Sequence, residues 1–565
     1  MAINKQTKNQ HLLWRSGFGP GYNQIQEISN LSSKDLFKNI MGDAAASPIA
    51  IDVTDDELKS FREETPQMIK RDADGANKFK KLQKSRDAIR SLNTKWLDEM
   101  VSSNAQLREK MAFFWHGHFA CRNLNIFYQQ DLLQIIRSNA LGNFGDMLKA
   151  VSRSAAMLNF LNNQQNKKDH PNENFARELM ELFTIGRGNY TEKDVKEAAR
   201  AFTGWTAGFK GEFLIRSFQH DNGSKTIFGK TGNFGDMLKA VSRSAAMLNF
   251  LNNQQNKKDH PNENFARELM ELFTIGRGNY TENDVKEAAR AFTGWTAGFK
   301  GEFLIRPFQH DNGSKTIFGK TGNLGGEDVI TMLLERKETA RFITKKLYRF
   351  LINEQIDETR VEKLSDKFYS SGYDIATLLN EIFLSEWFYD PKNIGAKIKS
   401  PIELLVGIRR LIPMQFDNQD GLQLLQRALG QVLFFPPNVA GWPGGKTWID
   451  SSTLLLRMRV PQLLANTDEF NVGAKDDDDV MMGMKKKDAI FKKFVSVKTD
   501  WNLYQQQFDR IARENLESQL QLLLLQTATP SFKDIIRNYA DMSGRSLFIE
   551  SYTLQVMSLP EYQFC

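Results

Sequence analysis

The segment KFKKLQKSRDAIRSLNTKWLDEMV at residues 78–101 decides the fold class. Ile89, Leu92, Trp96 and Met100 recur at three- and four-residue intervals with charged residues between them, the spacing of one face of an amphipathic helix. Its neighbours DDELKSFREE at 55–64 and AQLREKMAF at 105–113 continue the pattern, so 55–112 reads as helix. The same texture returns at 172–184, 193–202, 326–353, 374–386, 401–411, 421–434, 452–465 and 503–526. Strand-like alternation is scarce, GEFLIRSF at 211–218 being the best run. The expectation is a mainly α protein: a large helical bundle-like domain with few short strands and long loops rich in Gly, Pro and aromatic residues. Those loops fall at Gly17–Pro20, Thr203–Gly232 and Phe434–Trp448, and long loops in a helical protein are often functional.

Residues 142–231 recur as residues 232–321, a copy of 90 residues that differs only in Lys193 against Asn283 and Ser217 against Pro307. Of the 565 residues, 475 are therefore unique. Solenoid units run to roughly 20–50 residues and diverge, so a recent tandem duplication explains the repeat better. The expected organisation is one large domain over 1–470, a charged linker at 471–488 and a C-terminal helical region at 489–565 packed on the main domain. One copy completes the core and the other is an insertion, tolerable because closing a loop of that length costs only about 4 kcal/mol in chain entropy. One set of residues, His170–Lys225 or His260–Lys315, is expected to meet His116, with its twin on the outside.

Composition narrows the function classes. The chain carries 75 Lys+Arg against 68 Asp+Glu, a net charge of +7, and is 41% hydrophobic and 25% charged. The basic residues are interleaved with acids instead of forming a stripe, so nucleic acid is not an expected partner. No apolar run approaches the roughly 18 residues of a membrane span. The start, MAINKQTKNQHLLWRSGFGP, has no apolar signal core, and two cysteines make no disulfide scaffold, so a cytoplasmic location is expected.

The histidines stand in compact motifs. In FFWHGHFAC at 113–121, a helix starting near Gln106 is expected to stop at Gly117, and a turn there would let His116 and His118 converge on a metal or a proton-transfer pair. In a continuous helix they diverge by about 200°, and both then read as core histidines. In HPNENFARELME at 170–181, Glu173, Arg177 and Glu181 form a polar stripe that suits a surface helix. Facing a cleft instead, Glu173 or Glu178 would serve as general base or metal ligand. FQHDNGSK at 218–225 offers His220, Asp221 and Lys225 as a polar cluster for an anion or sugar, or simply a turn. FFPPNVAGWPGGKTW at 434–448 is a rigid loop presenting aromatic faces, suited to stacking or to plugging the core. Neither Gly229-Lys230-Thr231 nor Gly445-Lys446-Thr447 has the glycine spacing of a phosphate loop, and Gly17, Gly19 and Gly21 lack that of a dinucleotide fingerprint. The sequence contains no Gly-x-Ser-x-Gly or His-Glu-x-x-His hydrolase motif and no Cys-x-x-Cys-His haem attachment site.

Six segments together, HLLWRSGFGP at 11–20, LREKMAFFWHGHFA at 107–120, PNENFARELMELFTIGRGNYTEKDVKEAARAFTGW at 171–205, HDNGSKTIFG at 220–229, IKSPIELLVGIRR at 398–410 and PPNVAGWPGGKTWID at 436–450, resemble the bacterial domain-of-unknown-function family numbered 1800. The resemblance spans nearly the whole chain, with one central segment in the family where this chain has two. It implies a large, mainly helical bacterial protein, often encoded beside sulfatase-like proteins of the family numbered 1501, and no established reaction. Reactive side chains inside the matching motifs are the candidate site. His116, His118, Glu173, Glu178, His220 and Asp221 are candidates for catalysis, with twins Glu263, Glu268, His310 and Asp311. His11, Arg15, Lys225, Lys315, Asn438, Trp442 and Lys446 are candidates for substrate binding. His116, His118 and Glu178 would be the ligands of a divalent metal, the one cofactor this set suggests.

Two functions compete on these residues. One is a metal-assisted or acid/base hydrolase or lyase acting on a polar, glycan-like or sulfated substrate. The other is a non-enzymatic accessory protein that partners a sulfatase-like protein of the family numbered 1501 through the Pro/Trp/Gly loop.

Overall fold

The computed structural model describes residues 3–63, 75–154, 332–438, 440–465, 497–526 and 533–565, together with short pieces between 155 and 331, the longest of them 280–293. The fold is mainly α, as the spacing predicts. The helices that build the site are α1 (Lys5–Ser16), α2 (Gly75–Ser102), α3 (Gln106–His118), α4 (Ile126–Asn139), α5 (Phe144–Arg153), α6 (Glu282–Ala291), α7 (Lys337–Leu351), α8 (Pro401–Leu411), α9 (Gln419–Ala428) and α10 (Ser451–Leu464).

Local chemistry starts these helices where they start. Asn4 accepts the Thr7 N–H at 2.7 Å to cap α1, and Ser400 and Glu403 form a capping box on α8 with Pro401 in its first turn. On α2, Ile89, Leu92, Trp96 and Met100 are fully buried while Arg86, Arg90 and Lys95 stay exposed, so the 78–101 pattern sorts core from solvent. The buried face of α2 packs on α8 and α9. There Asn93 and Gln426 exchange amide hydrogen bonds of 3.0 and 2.7 Å, satisfying two polar groups that burial would otherwise penalise.

Buried ions tie further helices together. Glu109 on α3 receives Arg137 of α4 through Nη2 at 2.8 Å and the Trp96 indole N–H of α2 at 2.9 Å. The C-terminal helices join the same core. Met414–Phe416 pairs antiparallel with Val497–Thr499, and Phe548, Tyr552 and Val556 belong to the apolar cluster that includes Leu12 and Leu13 of α1.

Both copies of the repeat contribute to this core. The start of copy one supplies α5, with Phe144, Met147 and Val151 fully buried; the end of copy two supplies α6, with Val285, Ala288, Ala289 and Ala291 fully buried. The strand-like run gives short strands in both copies with the same hairpin register: Trp205 faces Ile215, and Trp295 faces Ile305. Equivalent residues of the two copies also pair in parallel, Tyr190 with Tyr280 and Lys225 with Lys315.

Several boundaries shift from expectation. Helix α9 ends at Ala428, before Gly430 takes a positive φ of 88°, so it does not reach 434. The 503–526 stretch breaks into Trp501–Gln506 and Leu516–Leu524. The helix expected at 172–184 and the charged segment at 471–488 lie outside the described residues.

Candidate functional site

Helix α3 does not stop at Gly117; it runs through it to His118. The turn that would bring His116 and His118 together is therefore absent, and two residues apart on one helix they point about 200° away from each other. Each is buried among different partners.

His116 accepts the Phe434 backbone N–H at Nε2, 3.2 Å away, which places its proton on Nδ1. Its ring lies edge-on to Trp96 at 5.0 Å and 5.5 Å from Trp442. Burial pushes its pKa down to about 3, so the imidazole is neutral. The 434–448 loop is shaped to reach it. Phe434 takes φ 67°, and Gly441 takes φ 81° with its Cα so close to Gly117 that a Cβ would stand 2.4 Å from the Gly117 carbonyl oxygen. Trp442 is thereby seated on the end of α3, partly buried, while Asn438 and Lys446 remain exposed. His116 thus anchors a loop.

His118 faces α7. Its Nδ1 lies 3.1 Å from the Nζ of Lys346, whose ammonium end sits 4.5 Å from the Phe342 ring centre. Aromatic rings surround the imidazole: Phe119 at 4.6 Å, Trp115 at 5.6 Å and Phe114 stacked at 6.2 Å. Burial holds His118 well below its ordinary pKa, with the Lys346 charge adding to the effect. Lys346 is pushed down to about 7, first by burial and then by Arg349 on the next turn. A lysine amine poised near neutrality beside a neutral imidazole can accept and pass a proton at physiological pH. Lys346 escaped the sequence reading because TKKLYRF at 344–350 looks like any amphipathic helix, and 228 residues separate it from His118.

His11 and Arg15 lie on the buried side of α1. His11 Nδ1 is 3.3 Å from Gln526 Oε1 and its ring is 4.6 Å from Phe388. Arg15 Nη2 donates to the carbonyl oxygens of Asn393 at 3.0 Å and Cys565 at 2.7 Å. Around it gather cations that the sequence did not single out. Lys110 and Lys397 both meet Glu403, and Lys399 is held between the Trp14 and Tyr562 rings, its Nζ 3.9 and 3.5 Å from their centres.

Among the repeat residues, Asp311 has its carboxylate 2.8 Å from Arg290 Nε of α6 and caps its own turn through the Gly313 N–H at 2.8 Å. Lys315 is buried and donates to the Asp311 and Gly313 carbonyls at 2.6 and 3.0 Å. This second-copy loop is built as a turn tied to α6. Glu263 is pushed up to about 8 by burial, against Lys286 of α6 and with Glu282 adding to the rise. Lys225 is placed by its backbone in the strand opposite Lys315. Glu173, Glu178, His220, Asp221, Glu268 and His310 lie outside the described residues.

Among the described residues no three His, Cys, Asp or Glu side chains stand close enough to hold a metal ion, and none of the described helices is long and apolar enough to cross a membrane. The family described as "Protein of unknown function (DUF1800)" matches residues 11–232 and again 230–564, the two matches meeting where copy one gives way to copy two. No curated protein and no solved structure matches the chain.

Proposed function

The chain belongs to the DUF1800 family of proteins of unknown function, and from that premise we propose that it is an acid/base enzyme, a hydrolase or lyase acting on a polar, glycan-like or sulfated substrate, in which Lys346 and His118 handle the proton. The observation that carries this reading is the 3.1 Å approach of the Lys346 amine to the His118 imidazole inside an aromatic enclosure. An amine titrating near 7 is half unprotonated at neutral pH and so serves as a general base, while the neutral imidazole accepts or relays the proton. The divergence of His116 from His118 favours this pair over a metal shared with Glu178. Glu263, with its raised carboxyl, is the candidate acid from the second copy. The repeat itself we read as a recent tandem copy, and the protein as cytoplasmic.

The test is turnover of a panel of sulfated and unsulfated oligosaccharides by wild type, Lys346→Met and His118→Ala. Activity with an ascending limb near pH 7 that Lys346→Met abolishes is expected. Equal turnover by wild type and Lys346→Met would remove the pair from the chemistry.

A second reading rests on the exposure of Pro437, Asn438 and Lys446 on the loop that His116 anchors. In it the loop is the contact surface of an accessory protein for a sulfatase-like partner of the family numbered 1501. Unchanged co-purification of such a partner after Asn438→Ala and Lys446→Glu would overturn it.

A further inference from the structure

The two 90-residue copies run side by side at both ends of α6. This helix of copy two, Glu282–Ala291, is introduced by Tyr280 and Thr281, which pair in parallel with Tyr190 and Thr191 of copy one. Past the helix, Lys315–Ile317 pairs in parallel with Lys225–Ile227, again twin against twin. Thr191 leads directly into EKDVKEAARA at 192–201, and Thr281 into ENDVKEAARA, the α6 sequence itself. Val195, Ala198, Ala199 and Ala201 therefore repeat the face that Val285, Ala288, Ala289 and Ala291 bury completely. The two differing positions discriminate weakly. Asn283 is exposed in the first turn of α6, where the charge of Lys193 would oppose the helix dipole, an effect of about two- to fivefold in population. Pro307 lacks the backbone N–H that Ser217 carries, so copy two holds no hydrogen-bond advantage in the strand Phe303–Gln309.

We propose that the two copies exchange at this position, so that the chain has registers of nearly equal free energy in which either 192–201 or 282–291 forms the buried helix. In one register α5 comes from copy one and α6 from copy two, as the structure has it. The other draws both helices from copy one and bypasses 232–321. Each register bypasses 90 residues, so the loop-closure entropy is the same in both. Each also presents the same side chains to the core, because the copies differ at only two positions. The ion pairs of Arg290 with Glu287 and Asp311 are remade by Arg200 with Glu197 and Asp221. Strand pairing at both ends holds the competing segments one strand spacing apart, about 5 Å, at entry and at exit. Exchange therefore requires local opening of α6 and its flanking strands instead of global unfolding. Its consequence is redundancy: a residue that works at this position is backed by its twin, independently of the chemistry at Lys346.

The experiment places a charge in the helix of one copy at a time in the full chain, as Ala288→Asp, Ala198→Asp and the double variant. An unpaired carboxylate at the wholly buried Ala288 cannot be held in the core. Urea unfolding is read beside hydrogen exchange of peptides covering 192–201 and 282–291, which Lys193 and Asn283 distinguish by mass. Ala288→Asp is expected to keep the wild-type urea midpoint while amide protection moves to 192–201, where exchange slows roughly tenfold or more. Ala198→Asp is expected to keep both the midpoint and the protection at 282–291, and the double variant to unfold well below either single one. An Ala288→Asp midpoint as low as that of the double variant, or no gain of protection at 192–201, overturns the proposal. A double variant as stable as wild type overturns it too, since the core would then need neither helix.

Discussion

Lys110 and Glu403, 293 residues apart in sequence, form an ion pair of 2.5 Å in which each side chain is 1% exposed. Lys397 reaches the same Glu403 oxygen at 2.6 Å, and the other oxygen accepts the Ser400 N–H at 2.7 Å. One carboxylate therefore pairs with two ammonium groups and caps α8, and those two charges hold it well below the usual carboxylate range despite its burial. Glu403→Gln leaves two buried charges uncompensated and is expected to lose about 3–5 kcal/mol of stability. The double variant Lys110→Met/Glu403→Met removes one of those charges together with the carboxylate and is expected to recover part of the loss. Urea unfolding of the three proteins decides it.

The loop over α3 depends on a glycine at 441. A methyl group there meets the Gly117 carbonyl at 2.4 Å and must also take a φ of 81°. Gly441→Ala is expected to cost about 1–3 kcal/mol and to lift Trp442 from His116, read as a shift in tryptophan fluorescence. Gly444→Ala, with no atom within 4 Å of its added methyl, is the control and is expected to change neither.

Acid should destabilise the fold before its carboxylates titrate. His11, His116 and His118 are buried with their pKa values pushed down by burial. Below the ordinary histidine value of about 6.5 the unfolded chain binds protons at these positions and the folded chain does not, so stability falls as pH drops. The three together are expected to remove about 3 kcal/mol between pH 6.5 and 5.5. Lys346 acts in a different window: from about 7 to its unfolded value the unfolded chain again holds the extra proton, so stability rises with pH there. Urea midpoints measured from pH 5.5 to 9.5 check both signs.

The described core draws α5 from copy one and α6 from copy two, so a single join between equivalent positions of the two copies keeps both helices. Deleting 155–244 joins Ser154 to Ala245, the twin of Ala155, and leaves the local sequence unchanged. The shortened chain is expected to keep the full-length circular dichroism per residue and to unfold at the same or slightly higher temperature, since a loop closure worth about 4 kcal/mol is removed. Loss of cooperative unfolding would show that the core needs both copies.

Much of this was legible beforehand. The 78–101 periodicity sorted α2 correctly, because a helix face is set by neighbours three and four residues away and needs no distant partner. His116 and Trp442, singled out separately, do meet. The helix continues through Gly117 because glycine is permissive and does not oblige a stop; the close approach there depends on the missing Cβ of Gly441, which meets the Gly117 backbone carbonyl, since a Cβ at Gly117 would have no atom within 4 Å.

By itself, then, the sequence determined the helical class, the recurrence of 142–231 as 232–321 and the motifs in which reactive side chains stand. Only the tertiary structure decided which of those side chains work together. It turned His116 toward Phe434 and His118 toward Lys346, set Lys110 on Glu403, and tied Asp311 into a turn on α6. The physical reason is range. Helical periodicity is a local property of consecutive residues, whereas the pairing of charges and the desolvation that pulls the Lys346 amine toward neutrality arise only when segments hundreds of residues apart exclude water from one another.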